Sequence, residues 1–208
     1  MKLLNADFLD ISKSFEDKSF DIVFTSPPFK EEDVDGKYWD LYDLWMQEIF
    51  RLTDKVAIII HSSTKINTVI SKYPPKRVLI WGKGISKYSY RWNPIYVYEL
   101  NNDYKVNKHI YTDAFGVQSV LNNWKVHKYQ DPPGLYYAVL KMFKDCKTVL
   151  DPFMGSGTTY LACEQLGLEF TGIEKDLDMF NNAKEFLSKY KFNPETFSLE
   201  ERNSHGAE

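Results

Sequence analysis

The stretch that decides the fold is "TVLDPFMGSGTTYLACEQLGLEFTGIEKD", Thr148 to Asp176. It opens with a short apolar run, passes through a glycine-rich turn into helical spacing, and ends in a second apolar run followed by charged residues. Strand, turn, helix and strand in this order form the unit from which parallel sheets are built. The stretch therefore predicts an α/β fold.

The rest of the chain continues this alternation of strands and helices. The apolar runs "FDIVFT", "VAIIIHS", "RVLIWG" and "PIYVYEL" are typical of buried strands. Helical spacing is found in "YWDLYDLWMQEIFRL", "STKINTVISKY", "PPGLYYAVLKMF" and "LDMFNNAKEFLSKY". We predict one domain over residues 1–192, with a mostly parallel sheet and helices on both faces. Residues 193–208 form a polar C-terminal tail, and residues 101–123, where periodicity fades, are a candidate insertion or loop.

Composition limits the class of protein. With 208 residues, 43% of them hydrophobic, the chain suits one domain with a sizeable core. Its longest apolar runs fall short of the roughly 20 residues that span a bilayer, and its start lacks the layout of a signal peptide. Two cysteines, Cys146 and Cys163, cannot build a disulfide framework. We expect reduced thiols, a cytoplasmic location and no membrane partner.

Charge is distributed unevenly along the chain. The formal net charge is −3, yet residues 71–128 hold ten Lys or Arg against only three acidic residues. The same segment is rich in Tyr and Trp, and basic residues interleaved with aromatic ones suit phosphate and base contacts. A solvated basic face over an aromatic core explains the pattern equally well. Charge alone leaves both interpretations open.

The glycine-rich turn has the features of a nucleoside site. Gly155 and Gly157 allow a ligand to approach the backbone, and Glu174 follows at the end of the next strand, where a carboxylate can accept hydrogen bonds from ribose hydroxyls. A P-loop needs a lysine after Gly157, and a dinucleotide fingerprint needs a small residue at Tyr160. Asp151 would repel a pyrophosphate and favour an ammonium group, which points to S-adenosylmethionine. A turn that serves only strand–helix packing is the alternative.

A second unusual stretch is "DIVFTSPPF", Asp21 to Phe29. A buried strand runs directly into Ser26, two prolines and an aromatic residue, and proline cannot continue a central strand. Taken alone, such a string most often ends a strand and does nothing more.

Together, "DPFMGSGTT" and "TSPPF" resemble the amino-methyltransferases of DNA, and their order along the chain is similar to the beta-type, permuted members of that family. The resemblance implies a Rossmann-like methyltransferase sheet, S-adenosylmethionine as cofactor and no metal. It implies that Glu174 holds the ribose and that Asp7 and Phe8 contact the adenine. The implied cofactor-binding residues are Asp7, Phe8, Asp151, Phe153, Gly155, Ser156, Gly157, Thr158 and Glu174.

The same resemblance gives roles to Ser26, Pro27, Pro28 and Phe29. The Ser26 hydroxyl and the Pro27 carbonyl would accept hydrogen bonds from the exocyclic amine, and the two prolines would fix the direction of that carbonyl. Phe29 would stack on a flipped base. In this family Ser-Pro-Pro-Tyr/Phe is usual for cytosine N4 and Asp-Pro-Pro-Tyr for adenine N6, so we expect cytosine N4 as the target.

The expected partner is duplex DNA, with a recognition segment at about residues 83–126. The alternatives are adenine N6 as target, the same chemistry on RNA or single-stranded DNA, and a non-catalytic subunit that binds cofactor and nucleic acid. A homodimer and a restriction endonuclease counterpart are left open. Tyr38 and Trp39 are expected either to close over the target or to pack in the core, and His61 to be structural.

Overall fold

The structure is a computed structural model that describes residues 1–29, 37–85, 90–102, 104–106, 113–116 and 130–196. These residues form ten strands: β1 (Lys2–Asn5), β2 (Phe20–Thr25), β3 (Thr53–Ile60), β4 (Arg77–Ile85), β5 (Tyr90–Glu99), β6 (Lys105–Val106), β7 (Ala114–Gly116), β8 (Phe143–Lys144), β9 (Thr148–Asp151) and β10 (Glu169–Glu174). They also form six α-helices: α1 (Phe8–Ile11), α2 (Tyr38–Leu52), α3 (Ile66–Lys72), α4 (Pro133–Leu140), α5 (Thr158–Leu166) and α6 (Leu177–Lys189).

Eight strands form one sheet in the order β1-β10-β9-β2-β3-β5-β4-β7. The first five of these pair in parallel, and β7 is parallel to β4. Among the described strands of this sheet β5 alone is reversed, being antiparallel to both β3 and β4. The predicted mostly parallel α/β sheet is therefore confirmed. Strands β6 and β8 form a separate antiparallel pair.

The central strands are apolar throughout because both of their faces are covered. Along β2, Ile22 and Phe24 pack into one core cluster, whereas Val23 packs into the other. Side chains alternate between the two faces of a strand, so a strand between two helical layers needs an unbroken apolar run. The mostly apolar run "FDIVFT" meets this requirement.

Helices cover both faces, as predicted. The core cluster on one face receives Phe8 of α1, several side chains of α2 and Val69 of α3. The cluster on the other face receives most of α4, Ala162 of α5 and Ala183 of α6. Each helix thus buries one apolar stripe against the sheet, the arrangement that stabilises a doubly wound α/β domain.

The amino-terminal ends of the central strands are joined by Asp21 at the start of β2. Its carboxylate accepts hydrogen bonds from the backbone N–H groups of Lys147 (2.6 Å) and Thr148 (3.1 Å) and forms an ion pair with Lys55 (2.8 Å). Partial burial works to raise the pKa of the Asp21 carboxyl, but these contacts outweigh it and the net pKa is lowered. Three neighbouring strands are therefore held in register at this end.

The carboxyl ends of the same strands are joined by a second aspartate, Asp151 at the end of β9. Its Oδ1 accepts hydrogen bonds from the Thr25 hydroxyl (2.7 Å) and the Phe153 N–H (3.2 Å), and its Oδ2 accepts one from the Thr159 hydroxyl (2.5 Å). Asp151 is 2% exposed. Burial raises the pKa of its carboxyl to about 6, although the three hydrogen bonds favour the charged form. One buried carboxylate thus links β2, β9 and α5.

Several local predictions need revision. Residues after β1 form the short helix α1, which Asp7 caps through the Leu9 N–H (2.9 Å), where the sequence suggested only a turn. The predicted helix at "STKINTVISKY" begins as a 3-10 turn, Ser63–Lys65, before α3. The strand predicted at "PIYVYEL" is confirmed as β5, an interior strand of the main sheet, and the recognition segment at about residues 83–126 stays a prediction.

Other predictions concern the cysteines, the tail and the membrane. Cys146 and Cys163 are free and buried. Residues 197–208 of the predicted tail lie outside the described residues, and residues 193–196 include a 3-10 turn. In the described part of the chain no helix combines the length and the apolar character needed to cross a bilayer.

The raised pKa of Asp151 predicts a pH-dependent stability. In the unfolded chain this carboxyl ionises near 3.8, and in the folded protein near 6. Between these values the folded state binds more protons, so stability falls as pH rises. Asp151→Asn lacks this titration, whereas Asp131, a half-buried carboxyl whose pKa is also raised, is present in both proteins. From about pH 4.5 to about pH 7.5 we expect the variant to gain on the order of 2 kcal/mol relative to wild type in urea unfolding.

Thr25→Val is the companion variant. It removes one hydrogen bond to the charged carboxylate, so the pKa of Asp151 should rise further and stability should fall more steeply over the same pH range. A difference between wild type and Asp151→Asn that stays constant with pH would contradict this account of the buried carboxylate.

Candidate active site

The two unusual sequence motifs meet where the order of the strands reverses. From β9 the chain continues through α5 to β10 on one side, and from β2 it continues through α2 to β3 on the other. Neighbouring parallel strands whose connections diverge leave a crevice at their carboxyl ends, which is where α/β proteins bind ligands. The Thr25–Asp151 hydrogen bond crosses this point and holds both loops beside the crevice.

The glycine-rich turn after β9 depends on backbone conformations that favour glycine. Gly155 and Gly157 have φ of +51° and +79°. The turn is closed by the Gly157 N–H donating to the Met154 carbonyl (2.8 Å), and it is tied to β10 by the Met154 N–H donating to the Ile173 carbonyl (2.9 Å). The backbone of the turn is therefore fixed before any ligand binds.

The two glycines face different surroundings. A Cβ built on Gly157 would come within 2.8 Å of Leu187 in α6, so this position packs against protein. A Cβ built on Gly155 would meet nothing within 4 Å. Gly155 thus leaves open space above the turn, and the absence of a side chain there keeps that space accessible to a ligand.

Glu174 lies at the carboxyl end of β10, as predicted. Its Oε2 accepts the Gly155 N–H (3.1 Å) and its Oε1 accepts the Asp176 N–H (2.8 Å). Each oxygen accepts one of these bonds and retains a further lone pair. The carboxylate is therefore held in place by the backbone while it can still accept hydrogen bonds from a ligand.

The N-terminal segment reaches the same place through β1. The Asn5 amide donates to the backbone carbonyls of Glu174 (2.8 Å) and Lys175 (3.1 Å). Asp7 forms an ion pair with Lys175 (2.9 Å). Partial burial acts to raise the pKa of the Asp7 carboxyl, but the hydrogen bonds from Lys175 and Leu9 outweigh burial, so the net pKa is lowered. The structure brings Asp7 beside the Glu174 loop.

Aromatic rings line the region between this segment and the glycine-rich turn. The Phe8 ring packs edge-on against Phe153, with centroids 5.6 Å apart, and Trp45 packs on Phe153 at 4.8 Å. Phe8 and Phe153 were predicted from the sequence, whereas Trp45 was not. Its helical spacing within α2 indicated only core packing, and no sequence signal marks its contact with Phe153.

The remaining predicted cofactor residues lie beneath the turn. Ser156 and Thr158 are each 4% exposed, and Asp151 makes the internal hydrogen bonds described above. Helix α5 starts at Thr158, and no side chain caps it. Although the Tyr160 N–H donates to the Gly157 carbonyl (3.0 Å), no side chain accepts from the first turn of this helix, whose N-terminus favours an anionic group. A direct ligand contact of the Asp151 carboxylate stays a prediction.

These groups suit S-adenosylmethionine. The open space over Gly155 beside a fixed carboxylate suits a ribose, and the Phe8–Phe153 pair suits a flat ring. An uncapped helix N-terminus suits the carboxylate of an amino acid. Within the described residues no group of three or more His, Cys, Asp or Glu has an arrangement that could hold a metal ion.

On the other side of the crevice, the chain leaves β2 as Ser26-Pro27-Pro28-Phe29. Ser26 is half-buried and Pro28 is exposed. In the described part of the chain the Ser26 hydroxyl has no hydrogen-bond partner, and no N–H donates to the Pro27 carbonyl. Within the described residues, two acceptors thus remain open at the end of this strand.

Phe29 lies against His61, a residue for which sequence reasoning found only a structural role. The centroids of the two rings are 5.0 Å apart. His61 is fully buried at the end of β3, and its Nε2 is 2.6 Å from the Tyr38 hydroxyl. Tyr38 is 1% exposed, which supports the core-packing alternative for this residue, whereas Trp39 is half-buried.

Several basic side chains of the segment 71–128 contact acidic or aromatic side chains, so fewer of them are available to a nucleic acid than the sequence suggests. Lys72 pairs with Asp43 (2.6 Å), Arg77 with Asp113, and Lys105 with Asp145 (3.7 Å). Lys83 lies over the Trp81 ring at 4.1 Å. Four further basic residues of the segment, Lys87, Lys108, Lys125 and Lys128, lie outside the described residues. A nucleic-acid surface in this segment stays a prediction.

Comparison with known proteins finds similarity to Type II methyltransferases. The Type II methyltransferase M.HpaI of Haemophilus parainfluenzae is 24% identical over 231 residues, which cover 89% of this chain and 74% of that protein. The Type II methyltransferase M.BamHI of Bacillus amyloliquefaciens is 24% identical over 228 residues, but the chain spans only 54% of its length.

A solved structure adds evidence for the fold. The PvuII DNA methyltransferase (cytosine-N4-specific) superposes with a TM-score of 0.75 at 14% identity, over 93% of this chain and 88% of that one. A sequence model of the family described as DNA methylase matches residues 20–185. Because this match includes both strand ends of the crevice and most of the chain, the protein belongs to the N6/N4 family of DNA methylases.

Proposed function

We propose that the protein transfers a methyl group from S-adenosylmethionine to the exocyclic N4 of cytosine in duplex DNA. The observation that carries the proposal is the Thr25–Asp151 hydrogen bond, which joins the end of the strand before Ser26 to the end of the strand before the glycine-rich turn. Membership of the DNA methylase family and the structural similarity to M1.HpyAVI in complex with S-adenosylmethionine (TM-score 0.69, 23% identity, 88% of this chain and 98% of that one) support it.

The cofactor would be held by the residues around the glycine-rich turn. Glu174 would accept hydrogen bonds from the ribose hydroxyls, Phe8 and Phe153 would contact the adenine, and Asp7 would accept a hydrogen bond from its amino group. The N-terminal turn of α5 would receive the carboxylate of the amino acid part. When bound, the cofactor supplies an electrophilic methyl group on a positively charged sulfur.

The Ser26–Phe29 segment would prepare the target amine. The lone pair of an exocyclic amine is delocalised into the base, and acceptors on both of its N–H bonds draw the nitrogen toward a tetrahedral geometry. The Ser26 Oγ and the Pro27 carbonyl would be the two acceptors, and neither accepts a hydrogen bond from the residues that the structure describes. Phe29 would stack on the flipped base. Positioning and electrostatics would therefore supply most of the rate.

Cytosine is favoured over adenine by the serine at position 26, since an aspartate is usual there among adenine-specific members. The similarity to a methyltransferase named as cytosine-N4-specific points the same way. Adenine N6 and single-stranded DNA or RNA remain the alternatives to be tested.

The first prediction concerns the cofactor. Glu174→Gln removes the negative charge that would receive the ribose, and we expect S-adenosylmethionine to bind about tenfold or more weakly by calorimetry. Glu169→Gln, at the exposed start of the same strand, is the matched control and should bind as wild type does. Equal affinity for Glu174→Gln and wild type would place the ribose elsewhere.

The second prediction concerns the chemical step. Ser26→Ala removes one of two acceptors, so the single-turnover rate of methyl transfer should fall about a hundredfold. Cofactor affinity should not change, because Ser26 lies on the other strand end. Ser188→Ala, an exposed serine in α6, should keep the wild-type rate. A Ser26→Ala enzyme with full activity would refute the proposed role of this serine.

The third prediction identifies the product. DNA from a methylation-free host expressing the protein should contain N4-methylcytosine when its nucleosides are analysed by mass spectrometry. N6-methyladenine in its place would overturn the choice of base while leaving the reaction intact. Methylation found only in RNA or in single-stranded DNA would overturn the choice of substrate.

A further inference from the structure

His61 occupies the first position beyond β3, beside the end of β2. Thr25, the last residue of β2, pairs with Ile59, so His61 continues β3 alongside the Ser26–Phe29 segment. Its backbone N–H donates to the Pro94 carbonyl (3.2 Å), and its side chain is completely buried. The main chain of His61 is thus fixed by the sheet.

Two hydrogen bonds fix the ring as well. Nδ1 accepts the Ser62 N–H at 2.8 Å, so in the neutral ring the proton is on Nε2. Nε2 is 2.6 Å from the Tyr38 hydroxyl oxygen and donates to it. A ring held at both nitrogens cannot turn about its Cβ–Cγ bond without breaking a buried hydrogen bond.

The ring is uncharged under ordinary conditions. Burial lowers the pKa of His61 to about 4. The neutral ring has one hydrogen-bond acceptor, Nδ1, which meets the Ser62 N–H, and one donor, Nε2, which meets the Tyr38 hydroxyl.

Aromatic rings surround His61 on several sides. Phe29 is tilted by 36° with its centroid 5.0 Å away, Tyr42 stands edge-on at 5.5 Å, and Trp39 is nearly parallel at 6.4 Å. Tyr38 and Tyr42 belong to the buried cluster under α2. Phe29, by contrast, follows an exposed proline and is itself half-buried. His61 is therefore the rigid surface on which the less confined Phe29 rests.

We propose that His61 is a positioning residue for base methylation: the Ser62 N–H and the Tyr38 hydroxyl orient its ring, and the ring sets the angle at which Phe29 meets the target base. This inference rests on the proposed function, in which Phe29 stacks on the flipped base. A base tilted on Phe29 would move its amine away from Ser26 and Pro27, and errors of about 1 Å at a reacting atom cost on the order of a hundredfold in rate.

Three single variants test the proposal. His61→Phe keeps a ring beneath Phe29 but loses both hydrogen bonds, Tyr38→Phe removes only the hydroxyl, and Tyr73→Phe is the matched control. Tyr73 belongs to the same side of the sheet and donates to Asp43 (2.8 Å) away from the crevice. Each is measured for single-turnover methyl transfer to duplex genomic DNA from the methylation-free host, for S-adenosylmethionine affinity, and for melting temperature.

We expect single-turnover rates lower by about tenfold or more for His61→Phe and by a smaller factor for Tyr38→Phe, with cofactor affinity within about twofold of wild type. Tyr73→Phe should keep the wild-type rate. A purely structural role would instead lower melting temperature and cofactor affinity while leaving the rate of the folded enzyme unchanged, and that result would overturn the proposal. If His61→Phe does not fold, the single-turnover rate of Tyr38→Phe tests the proposal by itself.

The outcomes separate this proposal from the proposed function. If wild type methylates DNA and Ser26→Ala does not, but Tyr38→Phe and His61→Phe both match wild type, then the role of His61 is wrong and the methyltransferase activity stands. If wild type transfers no methyl group to any nucleic acid, the proposed function fails and the role of His61 fails with it.

Discussion

The site depends on one buried carboxylate that is shared between two strands. Asp151 is 2% exposed, and its charged form is tolerated because the Thr25 and Thr159 hydroxyls and the Phe153 N–H donate to it. Any change that separates β2 from β9 would remove the Thr25 donor and leave the buried carboxylate with two of its three hydrogen bonds. The cost of that lost hydrogen bond favours keeping the two strand ends together, and with them the two loops that border the crevice.

The two sides of the crevice are built from different physical interactions. On the proposed cofactor side, backbone N–H groups and the Glu174 carboxylate define the surface, and Gly155 keeps it open. On the proposed target side the surface is aromatic, with Phe29 in contact with His61. A directional, hydrogen-bonded cradle suits a cofactor that is the same in every turnover. Stacking on an aromatic ring suits the proposed target, a flat base.

The sequence predicted the parts of this arrangement that are local. Continuous apolar runs identified β2 and β3, the spacing of "YWDLYDLWMQEIFRL" identified α2, and the glycine-rich turn located the crevice next to Glu174. Contacts between distant segments carried no such signal. The pairing of Thr25 with Asp151 and the contact of His61 with Phe29 depend on which strands are neighbours, and the apolar run that predicted a strand at "PIYVYEL" did not show that β5 is antiparallel to its neighbours. A sequence likewise does not show that a cation such as Arg77 is paired with an acidic side chain.

The order of the strands also determines when the protein can fold. β2 and β3 come early in the chain, but β9 and β10, which complete one side of the sheet, come after residue 147. The Asn5 amide and the Glu174 carbonyl that it contacts are 169 residues apart. Contacts of such long range are slow to form, and a nascent chain exposes the apolar edge of β2 until β9 is synthesised. Building one crevice from segments so far apart in the sequence therefore leaves apolar strand edges open to aggregation during translation.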